Sequence, residues 1–444
     1  SETFKNLLPL LGIENAHFIR TTDSKHIKCA QEFWRRCDKA GYIYKKNYTT
    51  RYCVGCELEK TDSELVDGKC PIHPSLQIEE IQEENYFFKF SEFQKPLLAF
   101  YKKNPKFVVP DFRFNEIKAF VERELTDFSI SRVKSKMSWG VPVPGDADHV
   151  MYVWFDALTS YISTLGWPDD EKNFEKWWVK TGGVVQYCGK DNLRQQSAMW
   201  QAMLMAAGLP NSKQIVIAGF VTGDGGVKMS KTLGNTIDPL EVIKEYGTDA
   251  LRYFVLRELS PFEDSPFTME KFKTAYNAHL ANGLGNLVSR VVKMAETNNI
   301  HLSKTPEVDA SKYTALYDAY EINKVCDDIW HRITAADKYI QEHQPFRTIK
   351  TDKTKGEHEI AHLLEEVVHI GILLAPILPS TSEKIAKAVA DTKIAAPLFM
   401  RMELALGLRL APSASCRVTY DACLLPPTRR SVGARAGLIT EATP

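Results

Sequence analysis

Two lysines, a serine and a glycine stand close together near the middle of the chain, in the octet KMSKTLGN at residues 228–235. Lysines three residues apart supply two point charges, and the serine hydroxyl and backbone amides add neutral donors. Such a segment suits the binding of oxyanions such as phosphates. The glycine pair Gly225-Gly226 precedes the octet, and Pro239 opens a predicted helix after it. A solvated surface turn is the alternative, and it would be the better interpretation of an isolated pair of lysines.

A second group that could do chemistry consists of cysteines and a histidine. Cys53 and Cys56 form one hook of the CxxC type, and Cys70 and His73 form a similar hook further along the chain. Two such hooks place four ligands at the corners of a tetrahedron, the arrangement that Zn²⁺ accepts. Since all four positions are taken by protein atoms, the sequence predicts a structural zinc site. Chance spacing is the alternative.

Polar and aromatic residues follow two segments that are predicted to be β-strands. Trp154 and Asp156 end the first segment, and Gly189 and Asp191 follow the second. Ligands of open α/β sheets bind beyond the carboxyl ends of the strands. An aromatic face with a carboxylate suits a substrate that has an apolar side chain and an ammonium group, and a carboxylate after glycine suits ribose hydroxyls. The alternatives are a core tryptophan and aspartates that cap helices.

Composition limits the class of protein that these groups belong to. The 444 residues are 44% hydrophobic and 25% charged, which is ordinary for a globular protein of several domains. Because the net charge is zero, any nucleic-acid binding must use clustered basic residues. Nine cysteines form an odd count, and neither a signal peptide nor a long apolar run is present. We therefore expect a reduced, cytoplasmic protein without a disulfide framework and without a membrane span.

The order of predicted elements indicates two kinds of architecture. Between residues 128 and 225 strands and helices alternate, which predicts parallel strands with crossover helices. The predicted strands are 150–155, 184–188 and 214–220, and the predicted helix is 192–208. From residue 239 to 390 nearly every segment has a helical period, with Leu280, Leu284 and Leu287 on one face. The chain is therefore expected to be an α/β protein followed by an all-α part.

The motifs together resemble the methionyl-tRNA synthetases of the bacterial type, a family of class I aminoacyl-tRNA synthetases. The matching segments are FIRTTD at 18–23, the four-residue metal group, ENYFF at 84–88, YVWFDA at 152–157, GKD at 189–191, the octet at 228–235 and TDALRY at 248–253. The octet alone also occurs in variant forms in isoleucyl, valyl, leucyl and cysteinyl enzymes. The single short metal knuckle together with the WFDA segment is what indicates methionine.

The resemblance implies a truncated class I Rossmann-like catalytic domain, of α/β class, with a zinc-knuckle connective insertion. An all-α helical bundle that binds the anticodon would follow it. The implied boundaries are 1–50 for the remainder of the first catalytic half, 51–127 for the insertion, 128–238 for the second catalytic half, 239–397 for the stem-contact and anticodon-binding part, and 398–444 for an atypical tail.

The implied reaction is the ATP-dependent activation of methionine to methionyl-adenylate and its transfer to tRNA(Met), with Mg²⁺ accompanying ATP. The implied catalytic residues are Lys228, Ser230 and Lys231. Those for methionine are Trp154, Ala157, Tyr161, Asn192 and Gln196; those for ATP are Gly189, Asp191, Val221 and Lys231; those for Zn²⁺ are Cys53, Cys56, Cys70 and His73; those for the anticodon are Asn286, Arg290 and Phe346. The oligomeric state is not determined by the sequence, and a monomer is the working expectation.

Some positions depart from the family pattern. Gln196 stands where the family usually has histidine, Asn192 where it has an apolar residue, and Phe346 where it has a tryptophan that stacks on a base. The family's HxGH turn does not occur in the sequence. We therefore expect a fragment that lacks about 80 amino-terminal residues of the family pattern and has impaired adenylate formation.

The last stretch also differs, because from Phe399 onward it contains no lysine and its basic residues are all arginine. We interpret this stretch as a disordered, out-of-frame or foreign segment. Two other functions stay open at this point. One is another class I synthetase, and the other is a non-catalytic zinc-containing tRNA-binding protein.

Overall fold

Two buried hydrophobic cores organise the chain, one in an α/β part and one in a helical part. The computed structural model describes residues 2–13, 17–56, 58–60, 64–229, 235–302 and 304–402. The first core gathers residues between Cys29 and Ile217, and the second gathers residues between Val242 and Val389. The predicted succession of an α/β part and an all-α part is confirmed, whereas the domain boundaries given above stay predictions.

The strands of the structure are short except for one long hairpin. They are β1 (Ile43–Cys53), β2 (Leu58–Lys60), β3 (Ile78–Phe88), β4 (Val108–Val109), β5 (Phe128–Ser129), β6 (Ser131–Val133), β7 (Pro142–Val143), β8 (Asp146–Met151), β9 (Val185–Gly189), β10 (Gln214–Ala218), β11 (Val221–Thr222) and β12 (Ser265–Pro266).

The helices that precede the helical part in the sequence are α1 (Glu2–Leu10), α2 (Ser24–Lys39), α3 (Gln94–Lys103), α4 (Asp111–Glu122), α5 (Val153–Ala157), α6 (Ser160–Ser163), α7 (Glu171–Phe174) and α8 (Trp200–Ala206). A π-helical turn at Gln195–Met199 leads directly into α8. The later helices are α9 (Pro239–Tyr246), α10 (Thr248–Tyr253), α11 (Met269–Ala275), α12 (Asn286–Asn298), α13 (Ser311–Asp318), α14 (Ile322–His343), α15 (Pro345–Thr351), α16 (Lys353–Leu374) and α17 (Pro379–Ala390). None of the helices in the described ranges is long and apolar enough to cross a membrane.

The long antiparallel hairpin of β1 and β3 carries the cysteine hooks at its tip. Ile43 lies opposite Phe88 at the base, and Cys53 lies opposite Ile78 at the tip, while β2 and β5 complete a four-stranded sheet in the order β2-β1-β3-β5. The first of these strands was not predicted in the sequence analysis above. The charged stretch IEEIQEE in β3 lacks the apolar pattern from which a strand is predicted. Most of its side chains lie at the tip of the hairpin, where they face solvent rather than a core.

A parallel sheet in the order β4-β10-β9 forms the centre of the α/β part. The predicted strands at 184–188 and 214–220 are confirmed as β9 and β10, and the predicted helix at 192–208 corresponds to the π-turn and α8. The predicted strand at 150–155 is wrong. Strand β8 ends at Met151 in a separate antiparallel sheet, β6-β8-β7, and α5 begins at Val153. A short apolar run cannot distinguish a strand from a buried helix by periodicity.

The amino-terminal helix α1 is tied to the helical part by one arginine. Arg252 of α10 donates hydrogen bonds to the carbonyl oxygens of Leu11, Pro376 and Ile377, at 2.9, 2.9 and 2.7 Å. The Thr248 hydroxyl adds a bond of 2.7 Å to the Leu10 carbonyl. Because a guanidinium presents its donors in a fixed fork, these bonds fix the end of α1 against the turn between α16 and α17.

Gly356 of α16 lies where α15 packs closely against α16. A Cβ atom added there would lie 2.3 Å from the Ile349 Cα, and backbone cannot move aside as a flexible side chain can. We predict that Gly356→Ala lowers the free energy of unfolding by about 1–3 kcal/mol, as for overpacked cores. Alanine's better helix propensity would otherwise favour this substitution.

Urea denaturation measures the effect, with Gly283→Ala as the control. At Gly283 the nearest atom to an added Cβ is the Ala278 carbonyl oxygen at 3.4 Å, so the control should be neutral or slightly stabilising. Equal unfolding midpoints for the two variants would contradict the close packing of α15 on α16.

Candidate functional site

The carboxyl end of β9 is built around Gly189. An added Cβ at this residue would lie 2.7 Å from the Asp191 Oδ1 and 3.7 Å from the Phe220 ring. A larger residue there would displace the Asp191 carboxylate from its position at the turn Lys190–Asn192, whereas the Phe220 ring would stay at ordinary contact distance. The structure thus brings Gly189 and Asp191, both predicted to bind ATP, to one place beside Phe220.

Two lysines meet the same aromatic ring. The Nζ atoms of Lys190 and Lys228 lie 4.6 and 5.1 Å from the centroid of Phe220. Lys190 also forms an ion pair of 2.6 Å with Asp264, whose pKa is lowered first by that bond and next by the Phe220 backbone amide. Lys228 is exposed and forms no ion pair with any residue that the structure describes. Its charge is therefore available to an anionic ligand.

The two ends of the lysine-containing loop are held by hydrogen bonds. Lys228 forms a β-bridge with Thr222, and the Asn235 amide donates to the Lys228 carbonyl oxygen over 3.3 Å. Ser230 and Lys231, which the sequence predicts to be catalytic, lie outside the described residues. Val221, predicted to contact adenosine, is exposed on β11 next to this loop.

The residues predicted to bind methionine come from two neighbouring segments. Trp154 and Ala157 lie on α5, Tyr161 lies on α6, and Gln196 lies on the π-turn before α8. The Gln196 Nε2 donates to the Tyr161 hydroxyl over 2.9 Å, which joins the segments. The indole Nε1 of Trp154 is buried and has no hydrogen-bond partner among the described residues. Asn192 is half-buried, and its amide lies 3.4 Å from the Asp191 carboxylate.

A chain of buried polar side chains lies behind Gln196. The Gln196 Oε1 accepts a hydrogen bond of 2.9 Å from the Gln186 Nε2. The side-chain oxygen of Gln186 in turn accepts a hydrogen bond from the Ser212 hydroxyl. Gln201 then donates to Ser212 over 3.1 Å and to the Gln196 backbone over 2.9 Å. Both ends of the Gln196 side-chain amide are thus engaged within the protein. The structure points the amide at Tyr161 and Gln186.

Asp156 makes a buried contact that the sequence analysis did not predict. It neither caps α5, whose N-cap is Tyr152, nor has both oxygens free for an ammonium group. Its Oδ1 lies 2.5 Å from the Nε2 of His26, and the Nδ1 of His26 lies 3.0 Å from the Ser163 hydroxyl. His26 is completely buried on α2. The helices that carry the predicted methionine residues are therefore fixed to α2 by directional bonds.

His26 and Phe220 are site residues that the sequence analysis missed. His26 precedes Cys29, Ala30 and Phe33 at helical spacing, so it lies on the apolar face of α2, and that spacing is the signal that could have found it. For Phe220 no local signal exists, since its lysine partners are distant in sequence.

The four predicted metal ligands come together. The Sγ atoms of Cys56 and Cys70 are 3.4 Å apart, and the Nδ1 of His73 lies 3.3, 3.9 and 4.0 Å from the sulfurs of Cys56, Cys53 and Cys70. A tetrahedron with zinc bonds of about 2.0–2.3 Å has edges of roughly 3.4–3.8 Å, so the donor set fits Zn²⁺. An added Cβ at Gly55 would lie 2.6 Å from the His73 ring, so glycine is needed there.

The metal group is affected by charges from outside it. The pKa of His73 is lowered first by burial and then by the charges of Lys228 and Lys60, while Asp191 opposes this shift. The charges that act on His73 thus come from β2, from the turn after β9 and from the lysine-containing loop. A neutral imidazole is also the form that binds metal.

Arg290 and Phe346, predicted to bind the anticodon, line one open cavity of about 690 Å³ together with Lys293 and Lys350. The Phe346 ring is 42% exposed, and the Arg290 guanidinium is held 2.9 Å from Asp337. The cavity thus offers an aromatic face among cations, which suits a nucleotide. Asn286 is exposed one turn before Arg290 on α12, but it does not line this cavity.

Comparisons with known proteins show the family to which the chain belongs. The family model described as tRNA synthetases class I (M) matches residues 1–82 and 74–292, and the model described as the anticodon binding domain of methionyl tRNA ligase matches residues 292–408. The chain belongs to the methionine–tRNA ligase family. It is accordingly a ligase of the aminoacyl-tRNA synthetase class, and the methionine-specific match decides against another class I synthetase.

Individual members of the family are similar over most of their length. The methionine–tRNA ligase of Nostoc sp. is 38% identical over 404 residues, covering 86% of this chain and 75% of the relative. That of Rickettsia felis is 38% identical over 411 residues, covering 88% and 79%. The structure of the Mycobacterium tuberculosis methionyl-tRNA synthetase in complex with methionyl-adenylate aligns with a TM-score of 0.81 at 32% identity, over 90% of this chain and 83% of that one.

We predict that Asp156→Ala lowers the free energy of unfolding by about 3 kcal/mol, because it leaves a buried imidazole without its partner. Urea denaturation measures the loss. Lys28→Ala is the matched control, since it breaks the exposed ion pair of 2.6 Å between Lys28 and Asp169, also made from α2. The control should cost less than about 1 kcal/mol. A loss for Asp156→Ala no larger than that of Lys28→Ala would show that His26 does not depend on the carboxylate.

We predict that the purified chain holds one zinc ion and that Cys56→Ser loses it, because the substitution removes one of the four ligands. Structural zinc contributes on the order of 10 kcal/mol to the folding of its site, so its loss should also unfold the tip of the hairpin. Elemental analysis measures the metal, and hydrogen exchange should quicken in residues 53–76 while α14 and α16 stay protected. Cys188→Ser is the control, since Cys188 lies on β9 outside the metal group. Zinc retained by Cys56→Ser would rule out the assigned ligand set.

Proposed function

We propose that this chain serves the methionylation of tRNA(Met), with ATP as the energy source, and that its helical part binds the anticodon. The observation that carries the proposal is the cavity between α12 and α15, where Arg290 and Phe346 meet with Lys293 and Lys350. A π-face among cations binds unpaired bases and the phosphates next to them. The match of residues 292–408 to the anticodon binding domain of methionyl tRNA ligase supports the same assignment.

Lys228 would act on the phosphates of ATP. As the methionine carboxylate attacks the α-phosphate, negative charge develops on the departing pyrophosphate. A cation fixed in advance lowers the barrier by a few kcal/mol, since it needs no reorganisation. Phe220 supports this role, because its ring keeps Lys228 next to Gly189 and Asp191. Lys231 and Ser230 complete the group in this proposal, and the Asp191 carboxylate would accept hydrogen bonds from the ribose hydroxyls.

The methionine side chain would lie against Trp154, Ala157 and Tyr161. Aromatic rings favour contact with a thioether sulfur by about 0.3–1.5 kcal/mol. Gln196 would orient the Tyr161 hydroxyl through their hydrogen bond of 2.9 Å rather than contact the sulfur. Asn192, at the end of the turn after β9, would lie between the methionine and ATP subsites.

The two metals implied by the family have different roles in this proposal. Zn²⁺ would be held by Cys53, Cys56, Cys70 and His73 and would stabilise the tip of the hairpin, because four protein ligands leave no position for a substrate. Mg²⁺ would arrive with ATP, whose phosphates are its main ligands. The chain would act in the cytoplasm, where the buried thiols of Cys29, Cys37 and Cys326 stay reduced.

The test measures the affinity of the full chain for tRNA(Met) and for the same tRNA with a changed anticodon. We predict that the change weakens binding and that Phe346→Ala weakens binding of the unaltered tRNA by about 1–3 kcal/mol, the usual value of one stacked base. Phe346→Trp should keep or raise the affinity because it keeps the π-face.

Phe112→Ala is the control, because Phe112 is a similarly exposed phenylalanine, at 47%, on α4 in the α/β part. The proposal fails if both tRNAs bind equally, or if Phe346→Ala and Phe112→Ala have the same effect.

A further inference from the structure

Trp139 is the most exposed large apolar side chain among the described residues, at 72%. It lies in the segment between β6 and β7, after two lysines in the sequence VKSKMSWG. A single exposed apolar residue is ordinary on a protein surface. Trp139 differs because of the way its segment is held and because of where that segment lies.

The segment that carries Trp139 is fixed by backbone hydrogen bonds on both sides. The Lys134 amide donates to the Asp148 carbonyl over 2.7 Å, and the Met137 amide donates to Val133 over 3.1 Å. After the tryptophan, the Met151 amide donates to the Val141 carbonyl over 2.7 Å. The indole is thus presented from a framework that is bound to β8 at both ends, so little backbone entropy is lost when a ligand covers it.

The segment returns along β8 to the start of α5. An added Cβ at Gly140 would lie 3.1 Å from the Val150 Cβ and 3.6 Å from the Met151 carbonyl oxygen. Gly140 is therefore level with the last residues of β8, and the chain enters α5, with Trp154, two residues later. Trp139, adjacent to Gly140, stands beside the segment that is predicted to bind methionine.

Positive charge accompanies the indole. Lys134 is exposed and forms no ion pair with another described residue. Lys136 is anchored by the Glu83 carboxylate at 3.4 Å and the Gln82 carbonyl at 3.3 Å. An exposed π-face and a cation without an ion pair, carried by one short segment, can bind an unpaired base and a phosphate near it.

We propose that Trp139 is a stacking platform for an unpaired base at the 3′ end of tRNA, with Lys134 on a neighbouring phosphate. This inference rests on the proposed function, because only a tRNA ligase must bring that single-stranded end to bound methionine. A nucleic acid fits better than a second copy of the chain, since the exposed residues next to Trp139 in its segment are polar or cationic: Lys134, Ser135, Lys136 and Ser138.

The test combines protein variants with two forms of tRNA(Met), one intact and one without its unpaired 3′ nucleotides. Trp139→Ala should weaken binding of the intact tRNA by at least about 5-fold, the lower value for one stacked base. It should leave the affinity for the shortened tRNA unchanged, and Trp139→Phe should keep most of the affinity for the intact form.

Two further variants serve as controls. Trp177 is 49% exposed and lies under the Lys176 ammonium group at 4.6 Å, so Trp177→Ala removes a comparable indole elsewhere and should leave both affinities unchanged. Lys134→Met should reduce the slope of log affinity against log salt by about 0.7 for the intact tRNA only, as expected for one phosphate contact on a single strand.

Three results would overturn the inference. Trp139→Ala could leave the affinity for intact tRNA unchanged, it could weaken both tRNA forms equally, or it could change the sedimentation of the chain without changing tRNA affinity. The last result would indicate a contact between copies. Equal affinity for tRNA(Met) and for the same tRNA with a changed anticodon would instead contradict the proposed function. The two failures are therefore distinguishable.

Discussion

One buried imidazole determines where the helices of the candidate methionine site lie. His26 is completely buried, so both ring nitrogens need hydrogen-bond partners from the protein. Asp156 on α5 and Ser163 on α6 supply them. Apolar packing alone would let these two short helices slide on α2, whereas directional bonds to both of them fix their position. The placement of Trp154 and Tyr161 follows from that constraint.

The buried polar chain behind Gln196 gives the same site a second property. Glutamine, unlike histidine, carries no proton that is gained or lost near neutral pH. The network of Gln186, Gln196, Gln201 and Ser212 therefore keeps one charge state, and its hydrogen bonds stay fixed in direction. In a medium of low polarity such a satisfied network is rigid. Gln196, which stands where the family usually has histidine, therefore leaves this wall of the candidate site neutral.

The spacing of residues in the sequence predicted features that depend on residues close together in the chain. It did not predict contacts between residues that are distant in the chain. The metal group and the helical part followed from hook spacing and helical period. The strand at 150–155 was wrong because one apolar run spans the end of β8 and the start of α5. The contact of His26 with Asp156 joins residues 130 positions apart, and no sequence period reports it. Exposure of Trp139 likewise depends on how its segment folds along β8.

The fork of Arg252 has a mechanical consequence. It holds the carbonyl group of Leu11 at one point with those of Pro376 and Ile377, which come far later in the chain. In a single-molecule pulling experiment, tension applied through the amino terminus would therefore load the helical bundle directly. The α/β sheets, although they come earlier in the sequence than that bundle, would carry the force only after the guanidinium contacts had broken.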